Sequence, residues 1–316
     1  MLTFVRGKVM HLVPVLFAVT CFSFLLTSLL PGDVALLMAG PNATSQAVDA
    51  LRAELKLDQP LPVRYVDWLG RAVHGDLGTS PRSHVTVLES IRDRLPISLE
   101  LLVLAELIGL LIAVPIGIAS AYRAGGLLDQ AASGAAFGIL AIPGFVVAIF
   151  LIYLFAVQLD LVPATGYTPF LTDPLANLRS FFLPALTVGL AEAAAYTRLL
   201  RGDMIATLQE DYIAMAKAKG LPTWHILVRH ALKPSSFTLL TVVGINIGRL
   251  MGGALIVETI FALPGIGRLL VESIYARDLV VVQGVVAFVA VAFVIVNFSV
   301  DLLYAVLDPR IRHGRA

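Results

Sequence analysis

Apolar residues fall into six long runs separated by polar stretches: 9–30, 97–121, 131–157, 181–200, 235–257 and 280–306. A helix needs about 20 apolar residues to cross the hydrocarbon core of a bilayer, and each run is of that order. The pattern therefore predicts an all-α membrane protein of six transmembrane helices. The first run follows Arg6 and Lys8, as a signal peptide would. It is long for a signal core and ends in LLPGD without a small-residue cleavage site, so it reads as a retained anchor. The layout that follows is 1–30 for the N-terminus and first span, 31–96 for a subdomain outside the membrane, and 97–316 for the membrane core.

The 31–96 segment is patterned, not a bare linker. Ala47, Leu51 and Leu55 share one face of a helix predicted over 46–57. A second helix restarts after Pro62 and ends at Gly75 and Gly78, with Trp68 placed as a candidate for the membrane interface. This piece reads equally as a cap over a pathway and as a docking surface. A second polar stretch, 258–278, carries Pro264, Gly265 and Gly267, which forbid one continuous helix. Its two glycines lack the spacing and preceding strand of a dinucleotide fingerprint.

The most informative polar stretch is 211–234, DYIAMAKAKGLPTWHILVRHALKP. Met204, Leu208, Tyr212 and Met215 recur at helical spacing and predict an amphipathic approach. Lys217 and Lys219 suit the end of that helix, and Gly220 suits a left-handed stop. Pro222 fits the first turn of a second helix, on which Trp224, Leu227, Val228 and Ala231 would share a face, and Pro234 would close it. Helix, glycine turn and short helix, held between two spans, form an object that can press on another protein.

Composition agrees with the bilayer as solvent. The 316 residues are 58% hydrophobic and only 14% charged, against about 25% charged in soluble domains. A net charge of +1 gives no case for a nucleic-acid partner. The single Cys21 excludes an intramolecular disulfide and a thiolate metal site. Basic residues concentrate in alternate loops: Arg6 and Lys8, then Arg123, then Arg198, Arg201, Lys217, Lys219, Arg229 and Lys233, then Arg310, Arg312 and Arg315. The positive-inside rule thus puts both termini and the loop over 201–234 in the cytoplasm, and 31–96 outside.

Charges inside apolar runs are costly, about 2.5–3.5 kcal/mol on insertion scales, so such groups face protein or water. Glu100, Glu106, Glu192, Arg249 and Asp301 lie in the runs. Glu106, Glu192 and Arg249 are the candidates for a polar pathway lining or for ion pairs between helices, with Glu106 and Arg249 an attractive pair. Gly244, Gly248 and Gly252 repeat every fourth position, a signature of close helix approach. Catalytic chemistry is missing: there is no Walker A loop, HEXXH or GXSXG, and no His, Cys and acid cluster with metal spacing. His225 and His230 are five apart, about 140° out of register on an α-helix, which disfavours a shared metal.

The 211–234 stretch resembles the cytoplasmic EAA loop of binding-protein-dependent ABC importer permeases, in the dipeptide/oligopeptide (nickel) branch. Gly220 stands in the glycine slot, with Ala214, Met215 and Ala216 in the triplet, of which Ala216 matches. GDLGTS at 75–80, IVETIFALPGIGRLL at 256–270, RDLVVVQG at 277–284 and DLLYAVLDPRIR at 301–312 are similar to the same branch. The resemblance implies a type I importer permease in a bacterial inner membrane, forming half of a peptide translocation pathway. It implies contact with ATPases through Asp211, Tyr212, Ala214, Ala216, Lys217, Gly220 and His230. The implied partners are a homologous second permease, two ABC ATPase subunits that carry the ATP and Mg, and an extracytoplasmic substrate-binding protein. No cofactor or metal is expected in this chain. The alternatives are the same machine carrying nickel or glutathione, an ion-coupled carrier using Glu106, Glu192 and Arg249, an intramembrane enzyme, and a purely structural component.

Overall fold

The computed structural model describes residues 2–28, 35–36, 43–54 and 56–307. Among them there is no β-strand, only an isolated bridge between Thr79 and Thr86. The helices are α1 (Leu2–Ser28), α2 (Ser45–Glu54), α3 (Leu61–Val73), α4 (Val87–Tyr122), α5 (Leu127–Ala141) and α6 (Gly144–Leu151). They continue as α7 (Pro174–Leu208), α8 (Asp211–Ala218), α9 (Thr223–His225), α10 (Leu232–Gly253), α11 (Leu255–Ile260), α12 (Ile266–Tyr275) and α13 (Leu279–Leu307). Two π-helical turns interrupt them, Ile152–Gln158 after α6 and Ile226–Ala231 after α9.

Of the six predicted spans, α4, α7 and the apolar part of α13 are long and apolar enough to cross a bilayer on their own. The third run is a helix pair bent at a short break. Its two halves, 127–141 and 144–158, meet at 104°. Ile142 precedes Pro143 and sits in extended backbone, because the proline ring disfavours the α region for the residue before it. The helix that carries the second predicted span, 97–121, is longer than the apolar run: α4 begins at Val87. Leu88, Ile91 and Leu95 extend its apolar face into a stretch rich in charges. The boundary between the 31–96 subdomain and the membrane core therefore falls inside one helix.

The chain divides into two compact units, residues 1–98, 251–255 and 264–316 in one, and 99–250 with 256–263 in the other. In the first unit α1 packs along α13. α3 is amphipathic and buries Tyr65 and Trp68 against Phe24, with the Thr20 hydroxyl 2.9 Å from the Tyr65 phenol oxygen. The interfacial placement of Trp68 is thereby corrected: its ring stacks on Tyr65 at 6.3 Å and is buried. A second cluster joins Val87 and Ile91 to Ile266, Leu269, Val281 and Val285. Gly284 lets that cluster close, since a Cβ there would meet Val87 Cγ1 at 2.6 Å.

In the second unit α7 packs against α5 and α6. Its deepest core holds Ala113, Tyr196, Leu200, Met204, Ile213 and Ile226. The α4 and α7 backbones approach closely at Gly189, where a Cβ would meet Ala105 O and Ile108 Cγ2, both at 2.9 Å. That approach lies elsewhere than on the Gly244/Gly248/Gly252 stripe singled out in the sequence.

Candidate functional site

The predicted glycine turn forms as a Schellman motif. Leu221 N donates to Ala216 O at 3.3 Å, and Gly220 N donates to Lys217 O at 2.9 Å. Gly220 sits at φ +73°, a left-handed conformation that glycine adopts without a Cβ penalty. The loop is anchored by Ile213 and Ala216 of α8 and by Ile226 and Ala231 beyond the turn, all buried. They pack into the core built on Tyr196, Leu200 and Met204. What remains outside is Tyr212, Met215, Trp224 and Val228, each exposed.

Three sequence expectations about this loop are corrected. The predicted continuous face of Met204, Leu208, Tyr212 and Met215 is split. α7 ends at Leu208 and α8 begins at Asp211, so Met204 is buried while Tyr212 and Met215 face outward. Pro234 does not close the second helix but lies in the first turn of α10. Proline lacks the N–H that His230 O would accept in an α-helix, and the π-helical turn Ile226–Ala231 sits directly before it. In that wider turn residues five apart share a side, so Ile226 and Ala231 are the buried pair instead of the predicted Trp224, Leu227, Val228 and Ala231 face. The same widening brings the His225 and His230 rings to 5.4 Å between centroids, where α-helical spacing separates them. No group of three or more metal-ligating side chains forms among the described residues.

Asp211, Ala214, Lys217 and Gly220 are exposed, Ala216 is buried and His230 is half-buried. Tyr212 Oη reaches toward His230 O at 3.5 Å, the outer limit of a hydrogen bond. Desolvation raises the Tyr212 phenol from its ordinary pKa, with the Glu210 carboxylate adding to the effect.

On α4, α7 and α10, Glu106, Glu192 and Arg249 converge on one network, but the expected Glu106–Arg249 pair does not form. Arg249 Nη2 donates to Glu192 Oε1 at 2.5 Å. Glu106 instead accepts from the Tyr196 hydroxyl, at 2.9 and 3.1 Å to its two oxygens. Asn246 Nδ2 joins the two halves, donating to Glu192 Oε2 at 2.5 Å and to Tyr196 Oη at 3.0 Å. The physical reason is spacing. Glu192 and Tyr196 lie one turn apart on α7, and Asn246 and Arg249 one turn apart on α10, so each helix presents a polar pair on one face. Tyr196 and Asn246 were missed because uncharged side chains carry little cost signal in an apolar run. Their i, i+4 and i, i+3 spacing to the charged residues was the signal available. Glu106, Glu192 and Asn246 are buried, whereas the Arg249 side chain is 63% exposed. A separate pair, Asp129 with Arg201, ties α5 to α7 and was not foreseen either.

Residues 113–313 match the family described as the binding-protein-dependent transport system inner membrane component, and residues 1–102 match its N-terminal companion. The chain belongs to this family. It is a permease component of a membrane transport system, and not an enzyme. Among similar proteins, one of Brucella abortus (strain 2308) named for a peptide transport system permease is 39% identical over 99% of this chain and all of its own length. The dipeptide transport system permease protein DppB of Escherichia coli K12 is 35% identical over the full length of both. In fold, the permease is similar to a chain of the inward-facing MetNI methionine ABC transporter. That likeness has a TM-score of 0.58 at 14% identity, covering 69% of this chain and 96% of the other. It extends the family evidence to an all-helical ABC importer permease architecture.

Proposed function

We propose that this permease is one of two homologous membrane subunits of an ATP-driven peptide importer, and that 211–234 is the element its ATPases push. The observation that carries the reading is the construction of that loop. Its inner side is buried in the core of α7, and its outer side presents Tyr212, Met215, Trp224 and Val228. A force on the outer side is passed into two long helices, because packed cores shift as units instead of deforming smoothly. The similar proteins named for peptide and dipeptide transport support the cargo class. The remaining composition is part of the same proposal: six spans, cytoplasmic termini, a second permease, two ATPase subunits and an extracytoplasmic binding protein. ATP supplies the ligand whose differential affinity for two states drives the change.

The test is disulfide capture in an otherwise complete transporter with Cys21→Ser. Cysteines at Met215 and Trp224 are expected to cross-link to the nucleotide-hydrolysing subunit, and reconstituted vesicles to take up dipeptide only with ATP. Uptake driven by a proton gradient without the ATPase would overturn the reading in favour of an ion-coupled carrier.

A further inference from the structure

The π-helical turn Ile226–Ala231 gathers two imidazoles that an α-helix would hold apart. Leu232 N donates to Leu227 O, five residues back instead of four. His225 and His230 are also five apart, and their ring centres come within 5.4 Å at an interplanar angle of 59°. The register is held at both ends. Upstream, Pro222 O accepts from His225 N at 2.9 Å and from Ile226 N at 3.2 Å. Downstream, Pro234 has no N–H to offer His230 O, and that carbonyl faces the Tyr212 hydroxyl at 3.5 Å instead. Ile226 and Ala231 fix the inner side of the turn in the core. Both histidines are half-buried, so neither ring is sealed from solvent. Trp224 packs edge to face on His225, with centroids 5.4 Å apart.

We infer that His225 and His230 form a two-imidazole site for a divalent late transition metal of the zinc type. Neutral imidazole is the commonest protein ligand for such ions, whereas magnesium and calcium select oxygen. With Zn–N bonds of about 2.0–2.1 Å, two imidazoles on one tetrahedral ion have ring centres about 5 Å apart. The observed spacing matches that separation. Water fills the remaining positions, since no group of three metal-ligating side chains forms among the described residues. With two protein donors, and with Arg229 and Lys233 adding positive charge nearby in sequence, the site is weak and exchangeable, unlike a closed structural centre with four ligands. Metal and backbone are linked. At α-helical spacing these residues lie about 140° apart around the axis, so the ion binds the π register and holds the turn in it. Lying between the glycine turn and α10, it acts as a reversible stiffener of the loop.

The full-length permease, purified in detergent through a tag without histidine and treated with chelator, is titrated with zinc chloride. Binding is followed by isothermal titration calorimetry and by the thermal midpoint. A single bound ion per chain and a raised midpoint are expected, with no response to magnesium chloride. His225→Ala and His230→Ala should each raise the half-saturating zinc concentration by about tenfold or more, the scale of a lost partner at a metal site. His74→Ala should leave it unchanged. Pro234→Ala restores the missing N–H with both histidines in place, so it should favour the α register and weaken zinc binding too. Zinc-free midpoints report whether each variant is folded. The absence of saturable zinc binding by the unmodified chain overturns the inference without any variant. So does undiminished affinity in the His225→Ala/His230→Ala double variant, which would place the ion elsewhere on the chain. Unchanged affinity in Pro234→Ala would overturn the link to the π register.

Discussion

Ser80 donates its hydroxyl to Asp278 Oδ2 at 2.5 Å, across 198 residues of sequence, with both side chains buried. The contact joins GDLGTS at 75–80 to RDLVVVQG at 277–284, two segments that resemble importer permeases separately and turn out to be one structural piece. Asp278 also accepts from Val281 N at 3.3 Å, capping α13. Gly78, at φ +97°, lies where a Cβ would strike Val280 Cγ1 at 2.7 Å. Arg82 Nη1 completes the join by donating to Ala276 O at 2.5 Å.

Asp278→Ala should therefore remove a helix cap and leave the buried Ser80 hydroxyl without its acceptor. The combined cost is about 2–3 kcal/mol. It is expected as a lower thermal midpoint in detergent, with Ser80→Ala alone costing less. An unchanged midpoint would show that water replaces both contacts.

Gly189→Val should be among the most damaging single changes in the membrane core. A Cβ at Gly189 meets the backbone oxygen of Ala105 at 2.9 Å, which cannot swing aside. Overpacking of this kind costs about 1–3 kcal/mol. Gly134→Ala, where nothing lies within 4 Å, is the control and should be neutral. Comparing folded yield and thermal midpoint of the two variants checks the α4–α7 approach directly.

Arg249→Ala should destabilise through Glu192, which it strands as a buried carboxylate. A fully buried pair broken on one side costs about 3–5 kcal/mol. Because the Arg249 side chain is 63% exposed, solvent screening reduces the expected cost to about 1–3 kcal/mol. Adding Glu192→Gln should recover part of the loss, since a neutral amide needs no counter-charge. A double-mutant cycle on thermal midpoints reads the coupling, and strict additivity would contradict the pair.

Gly220→Val should insert normally and transport poorly. The space around Gly220 is open, so the penalty is purely backbone: φ +73° costs a β-branched residue about 1–2 kcal/mol. Gly220→Asn should be milder, because asparagine tolerates that region. ATP-dependent uptake, set against ATPase activity of the complete transporter, measures the loss. Full uptake by the valine variant would remove the turn from the coupling mechanism.

The sequence by itself determined what depends on local chemistry. Long apolar runs required helices and a bilayer, Gly220 and Pro222 placed a turn between two short helices, and Glu192 and Arg249 were marked by the cost of their charges. Tertiary structure decided which of those charges meet. Glu106 and Arg249 were an equally good pair by composition, yet helix rotation and register turned Arg249 to Glu192 and left Glu106 to Tyr196. It also decided which side of the 211–234 loop is buried, because the π-helical turn ahead of Pro234 changes the residue spacing that a face is read from. Side-chain polarity is written along the chain, but the phase of one helix against another depends on close approaches such as Gly189 on Ala105, which no single segment contains.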